Sequence, residues 1–328
     1  MKPGALSRRL VRRLQGELSD ALHVRLRWWS APVVTRRRQS YSIAILGGTS
    51  PVDLRPVPGV MNPVISARNV TDADAIYVAD PFMIEVSGRW HMFFEVLARD
   101  ESGSAVGQIG LATSEDARHW RYERIVLREP FHLSYPHVFV HRGVHYMIPE
   151  THQRSSIRLY RADPFPATWE FERTLVEGQG LADSCPFFAR NHWWMFTTGG
   201  TPPLYCDALR LFHADDLMGP WVEHPRSPVQ AGNRHLARPA GRVVVAGGRI
   251  VRFAQACEPF YGTSVSAMEI TELTETTYRE RPMAAAPILA GSGAGWNAVG
   301  MHHVDPHLVG DGQWLACVDG WTWEERIA

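Results

Sequence analysis

Short apolar strands separated by polar turns fill the chain from about residue 40 onward, and one pattern returns five times. An X-Pro step opens a short strand, a turn follows, and a second strand rich in aromatics closes the unit. The five copies are ADPFMIEVSGRWHMFFE (79–95), YPHVFVHRGVHYMIPE (135–150), CPFFARNHWWMFTT (185–198), RPAGRVVVAGGRIVRFAQ (238–255) and DPHLVGDGQWLACVD (305–319). Pro81, Pro136, Pro186, Pro239 and Pro306 are spaced by 55, 50, 53 and 67 residues, the size of one four-stranded propeller blade. The connecting segments GQIGLATSEDARHWRYERIVL, SIRLYRADPFPATWEFERTLV and LRLFHADDLMGPWVEHPRSPV each add a strand, a polar turn, a Trp and another short strand. Trp120, Trp169 and Trp221 are therefore expected to pack between blades, while the fourth unit, SVSAMEITELTETTYRERPM, lacks the Trp. After the fifth hairpin too little chain remains for outer strands, so YSIAILGG (41–48) and NPVISARNV (62–70) are the candidates to close the ring. The expectation is an all-β protein, a five-bladed β-propeller over residues 40–328 with a short N-terminal helical extension over 1–39 and no second domain.

In that extension Leu6, Leu10, Leu14, Leu18 and Leu22 recur every fourth residue, the stripe of an amphipathic helix. Residues 1–39 carry ten Lys or Arg against Glu17 and Asp20, leaving 24 basic and 32 acidic side chains for the body. Residues 5–38 thus offer a peripheral contact with an anionic membrane, the alternative being a helix packed on the acidic body. The balanced total of 34 basic and 34 acidic residues gives no field for nucleic acid. Cys185, Cys206, Cys257 and Cys317 are far apart with no CxxC spacing, so neither a zinc site nor a redox pair is signalled and a reducing, cytoplasmic compartment is expected. No apolar run is long enough for a membrane span or a signal peptide.

In an antiparallel hairpin the start of the first strand lies beside the end of the second, so both ends of each repeat face one mouth of the central channel. Counting from the prolines, one ring is Asp80, Tyr135, Cys185, Arg238 and Asp305, and the other is Glu95, Glu150, Thr198, Gln255 and Asp319. His137, Asp183, Arg252, His302 and His303 lie beside them. Five carboxylates around one funnel repel unless a cation, a proton or a polyhydroxyl ligand engages them. Glycosidic bond cleavage uses one carboxylic acid and one carboxylate. Asp80, on the innermost strand, is the expected base. Glu150, after the apolar run YMIP, is the expected acid, its pKa raised by burial, with Asp183 or Glu95 orienting or tuning it. Expected substrate contacts are Glu95, Tyr135, His137, Arg238, Arg252, Gln255, Trp296, His303, Asp305 and Asp319. Trp296, after the loop AGSGAG (290–295), is a candidate lid or sugar platform. Each acid also has a structural alternative: Asp80 and Asp305 as turn caps, Glu95 and Glu150 as ion-pair partners of Arg238 and Arg252. Adjacent His302 and His303 point to opposite faces of a strand, so at most one joins Asp305 at a metal. No cofactor is expected, and a structural divalent cation in the channel is the open alternative.

The run NPVISARNVTDADAIYVADPF, together with MFFEVL, IGLATS, EPFHLSYPHVF, YMIPET, GPWVEHPRSPV, RPAGR and GMHHVD, resembles the propeller domain of plant glucosamine inositolphosphorylceramide transferases over about residues 60–320. The resemblance implies a five-bladed propeller related to arabinanase, xylosidase and fructosidase glycosidases. Those enzymes place a catalytic Asp in the first blade, a pKa-adjusting Asp in the next and an acid Glu in a later one. Asp80 in ADPF matches the first. The second hairpin offers Tyr135, Pro136 and His137 instead of an Asp, and the third has no Glu at the equivalent place, so the acid either shifts to Glu150 or is missing. The expected function is a glycoside hydrolase or transglycosylase acting on a glycan or glycoconjugate. The alternative is a glycan- or glycolipid-binding module that positions substrate for a separate transferase.

Overall fold

The computed structural model describes residues 35–200, 205–284 and 287–327. Its elements are almost entirely strands, grouped in five antiparallel sheets that form the blades of a propeller. Blade I runs outward as Asp74–Val86, Arg89–Arg99, Ala105–Ser114 and Arg121–Leu127. Blade II repeats this with Ser134–His141, Val144–Glu150, Ser156–Ala162 and Trp169–Glu177. Blade III uses Ala182–Ala189, His192–Gly199, Ala208–Ala214 and the short Val222–Glu223. In blade IV the first strand is broken into Arg238–Pro239 and Val244–Ala246, both paired with Arg249–Ala256, before Ser264–Leu273 and Tyr278–Pro282. Blade V joins Gly300–Leu308 and Trp314–Ile327 to Thr35–Ser50 and Asp53–Pro56.

The N-terminal chain thus supplies the outer half of blade V, and 41–48 lies within the strand expected for it. Segment 62–70 does not form a strand of the sheet. Asn62 uses its side-chain amide to hydrogen-bond both the N–H (3.0 Å) and the C=O (2.9 Å) of Ile45, standing in for a ladder partner. Only one bridge follows, Ile43 to Ile65, before a 3₁₀ turn at Ala67–Asn69. Asp53–Pro56 takes the outermost place instead. Of the expected helical extension, residues 1–34 lie outside the described residues, and from Thr35 the chain is strand. The propeller body is the compact unit Gln39–Trp323. A second unit includes residues 35–38 and 324–327, with ion pairs of Arg37 to Glu325 (3.2 Å) and Arg38 to Glu324 (2.8 Å). Among the described residues no helix is long and apolar enough to cross a membrane.

The core lies between blades, where the second and third strands present apolar side chains on both faces. Trp169 of blade II is buried and meets Phe93 of blade I edge-on, ring centroids 5.2 Å apart. Trp120 and Trp221 pack against equivalent clusters. All three indoles donate to a carbonyl three or four residues upstream, at Ala117, Pro166 and Leu217, so one Trp device serves three blades. The axis is closed by close packing rather than left as a tube. Gly241, at φ +121°, lies so near the Val304 carbonyl that a β-carbon would collide with it. The Gly241 backbone instead binds the Tyr135 hydroxyl, donating its N–H at 2.7 Å and accepting at its carbonyl at 3.1 Å.

The cysteines depart from expectation. Cys206 and Cys257, 51 residues apart, are joined in a disulfide that ties blade III to blade IV. Propeller closure brings them together, a proximity that spacing along the chain does not encode. Cys185 and Cys317 are free and buried.

Candidate functional site

The innermost strands of blades I, II and III each carry a bulge, between Ala79 and Phe82, Ser134 and His137, and Ala182 and Cys185. Asp80, Tyr135 and Asp183 sit at these bulges with φ of 53°, 47° and 53°. This left-handed backbone is sparsely populated by residues other than Gly, and its strain is concentrated where side chains are re-aimed. Blade V shifts register between Gly300 and His303, which brings in His302. Counting from the prolines therefore identifies the bulge residue in blades I and II and fails in two others. In blade III the bulge residue is Asp183, not Cys185. In blade V, His302 reaches the mouth and Asp305 does not. An irregular strand start displaces the phase that alternation would predict. The ends of the second strands fall into place by pairing: Glu95 opposite Ala79, Glu150 opposite Ser134, Thr198 opposite Ala182 and Gln255 opposite Arg238.

These positions surround a cavity of about 430 Å³. Of the expected residues, Asp80, Glu95, Glu150 and Arg238 line it. Asp183 and Gln255 stand directly behind Arg238: Asp183 accepts from its guanidinium at 2.6 and 3.2 Å, and the Gln255 amide lies 3.4 Å from the same carboxylate. Asp319 backs the opposite wall, accepting from His302 Nδ1 (2.6 Å) and from the Asp80 backbone N–H (2.9 Å). Tyr135, His137, His303 and Asp305 lie deeper and fill the channel. Phe82 packs against the Tyr135, His137 and His303 rings at 4.6–4.9 Å. Asp305 accepts from the Met83 N–H (2.7 Å), Arg242 (2.7 Å) and His307 (2.9 Å). Two expected contacts are elsewhere. Arg252 is buried against Glu280 and the Leu236 carbonyl, where it holds blade IV together. Trp296 packs on Gly320 and the blade IV–V core and does not line the cavity.

Sequence reasoning missed the aromatic and imidazole half of the wall: Tyr41, Tyr77, His132, His152, Tyr261 and His302, with Gln39, Ser134 and Gln153. The sequence places His302 beside the ring and offers it as a metal ligand with Asp305, but not as part of this wall. His152 had a readable signal, being two residues beyond Glu150 in the PETH run. Tyr41 comes from the closing strand and Tyr261 from the loop between the second and third strands of blade IV, so neither belongs to the repeated hairpin.

Electrostatics divide the acids. Burial opposes ionisation of Glu150, yet a 2.6 Å contact with His152 Nδ1 and the charge of Arg238, 3.6 Å away, hold its pKa down to about 2. Glu95 has no such partner. Burial, then the negative fields of Asp80 and Glu150, lift its pKa well above the carboxylate range. Its basic neighbour is His132 Nε2 at 3.4 Å, whose own pKa is lowered by burial. Asp80 is raised to about 7 by burial, against the attraction of His302 and with the repulsion of Asp319 and Asp183. Burial disfavours charge on His302, but Asp319 outweighs it and raises the imidazole to about 9. Its Nε2 faces Asp80 Oδ1 at 3.5 Å, giving a line Asp319–His302–Asp80 that ends in the cavity. The phenols of Tyr41, Tyr77 and Tyr261 are pushed up by burial and stay neutral donors.

Asp80, His302 and Asp319 also have the proximity of a metal-binding trio. The fit is poor. Both Asp319 oxygens already accept hydrogen bonds, and an ion would have to displace the 2.6 Å contact to His302.

A five-bladed propeller with an axial cavity walled by carboxylates, imidazoles and phenols is the class of protein that this fold and site define. The chain belongs to the family described as "Glucosamine inositolphosphorylceramide transferase 1, N-terminal", whose model matches residues 35–321. It is 32% identical over 300 residues to glucosamine inositolphosphorylceramide transferase 1 of Oryza sativa subsp. japonica, covering 86% of this chain and 40% of that protein. The chain thus spans about 40% of the length of that relative. In fold it is similar to the β-1,2-mannobiose phosphorylase of Listeria innocua, with TM-score 0.59, 12% identity and coverage of 79% of this chain and 94% of that one. It is also similar to a mutant α-L-arabinanase of Cellvibrio cellulosa, with TM-score 0.52, 17% identity and coverage of 76% and 92%. These matches relate the chain to carbohydrate-active proteins.

Proposed function

We propose that the cavity binds one sugar unit of a glycan or glycoconjugate and cleaves or transfers its glycosidic bond. One observation carries the reading: a single pocket holds a carboxyl lifted well above its ordinary range, Glu95, and another held firmly ionised, Glu150. Environments that push neighbouring acids apart are how one site holds both a proton donor and a fixed anion near pH 7. The acid role expected for Glu150 passes to Glu95. Glu95 gives its proton to the leaving oxygen as the glycosidic C–O bond breaks. Asp80, near neutrality in its affinity for protons, takes one from the water or acceptor hydroxyl that attacks the anomeric carbon. Asp80 then releases that proton to solvent and Glu95 takes one up from solvent, which returns both groups to their starting states. Asp319 and His302 orient Asp80, and Glu150 with Arg238 holds substrate hydroxyls. Asp183 fixes Arg238.

The test is turnover of a panel of aryl glycosides and glycosyl donors by the wild type, Glu95→Gln and Asp80→Asn. The reading predicts loss of turnover in both variants with saccharide binding retained. A second reading, a non-catalytic module that presents a glycan or glycolipid to a separate transferase, is favoured by the match to only 40% of a longer protein named as a transferase. Binding without turnover by the wild type, with both variants changing affinity alone, would select it. Membrane contact through residues 5–38 stays part of that second reading. Disulfides such as Cys206–Cys257 persist in oxidising compartments, which weighs against the cytoplasmic expectation.

A further inference from the structure

The loop Cys257–Thr263 links blade IV's inner strands to its outer ones and carries two aromatic residues that face different ways. Tyr261 lines the cavity, with the Arg238 guanidinium 5.0 Å over its ring. Phe260, one residue earlier, is 49% exposed. The loop is fixed at both ends. Cys257 is tied to Cys206 and donates its N–H to the Arg234 carbonyl (2.8 Å). At the other end the Trp321 indole donates to the Gly262 carbonyl at 2.8 Å, and Thr263 Oγ1 donates to the Phe260 carbonyl at 2.6 Å. Phe260 is therefore held out in solvent by a braced backbone.

Its neighbour is Trp323, 39% exposed, whose ring stands perpendicular to it at 6.3 Å. Both rings rest on buried Trp321, at 6.3 and 5.2 Å. Trp321 in turn contacts Tyr41 at 6.1 Å, and Tyr41 meets His302 at 4.9 Å, both on the cavity wall. An unbroken series of rings thus runs from the cavity to an exposed aromatic corner. The same loop presents Glu258, two residues before Phe260 and paired with Arg234 at 3.1 Å and near His235 at 3.7 Å, so charged hydrogen-bonding groups share the loop with the ring. Rigid exposed aromatics beside polar groups match a sugar ring, which has one apolar C–H face and a rim of hydroxyls. Exposing two large rings costs solvation that a ligand would recover.

We propose that Phe260 and Trp323 form a second saccharide subsite, which takes the sugar ring adjacent to the one held in the cavity. This rests on the reading that the cavity binds a sugar. The occupant is the next unit of the same glycan, because Phe260 and the cavity-lining Tyr261 are consecutive residues of one braced loop.

The experiment is a glycan array of matched monosaccharides and their oligomers, including mannose with β-1,2-mannobiose and arabinose with arabinohexaose, followed by titration calorimetry on the tightest pair. The variant is Phe260→Leu/Trp323→Leu, which keeps apolar bulk and removes the rings, with its melting curve recorded as a folding control. The wild type is expected to bind the oligomer about tenfold more tightly than the monosaccharide, a ratio of the size that one or two ring contacts supply. The double variant is expected to lose that advantage and keep the monosaccharide affinity. An advantage that survives the double substitution, or is absent in the wild type, overturns the subsite. If monosaccharide binding weakens in Glu150→Gln while the aromatic variant behaves as wild type, the cavity reading stands and the subsite alone fails. If the wild type binds nothing on the array, both fail. Vesicles of phosphatidylcholine and phosphatidylserine are the remaining arm: loss of vesicle binding in the double variant, with the oligomer advantage intact, makes the corner a membrane contact and overturns the proposal.

Discussion

Two buried acids of the same propeller, Glu95 at the mouth of the channel and Asp305 in its floor, are opposites in chemistry. Asp305 accepts from a backbone N–H, a guanidinium and an imidazole, and although burial disfavours its charge, Arg242 and His307 hold its pKa far below the ordinary range. Glu95 borders the cavity, its Oε1 accepts no hydrogen bond, and burial with the negative fields of Asp80 and Glu150 pushes its pKa well up. Burial of an acid is common to both. What separates a structural carboxylate from a candidate proton donor is whether the protein has already satisfied it.

Substitutions at the two sites sharpen that contrast. Glu95→Gln replaces a neutral acid by a neutral amide, so it is expected to lower kcat by about 10³-fold, within the range of acid catalysis, while the melting temperature stays at or above the wild-type value. Asp305→Asn is expected to do the reverse: a stability loss of about 3 kcal/mol in denaturant titrations, from leaving Arg242 without its anion, with kcat per folded molecule little changed. A large kcat loss in Asp305→Asn without destabilisation would erase the distinction. The mouth carries a covalent brace that the floor lacks. Cys257→Ser is expected to cost about 2–3 kcal/mol and to raise KM more than it lowers kcat, because Tyr261 loses its anchor. The smallest effect is one of pH. His302 has a folded pKa of about 9 against an unfolded value near 6.5. Its contribution is therefore full below about pH 6.5 and is lost as pH rises through 9. His302→Asn should flatten the stability profile across that window, while the floor variant should not.

The sequence makes the repeat legible because a period near 50 residues, the X-Pro steps and the three Trp residues are local features that survive irregular packing. The site is legible only where the strands are regular or the proline marks the bulge, as for Asp80, Glu95, Glu150 and Arg238. Asp305 and Cys185 are misplaced because bulges at Ala182 and Gly300 shift which residue reaches the mouth, and a shift of this kind leaves no trace in hydrophobic alternation. Arg252 is misplaced because its partner, Glu280, comes from an outer strand that counting along the inner hairpin cannot reach. The reassignment proposed for Glu150 has a similar origin. The apolar run before it does signal burial, but the two groups that reverse its pKa shift come from His152 in the next turn and Arg238 two blades away. Tyr41 and Tyr261 lie outside the repeated hairpins and are invisible to any argument from repetition.

The most direct test is the titration of Glu95 itself, followed through its side-chain carboxyl carbon by NMR with Glu95→Gln assigning the signal. The account predicts a midpoint well above 4.5, with Glu150 already ionised over the whole accessible range. A Glu95 midpoint at or below 4.5 would contradict it, because the carboxyl assigned to protonate the leaving oxygen would then be an ordinary ionised acid.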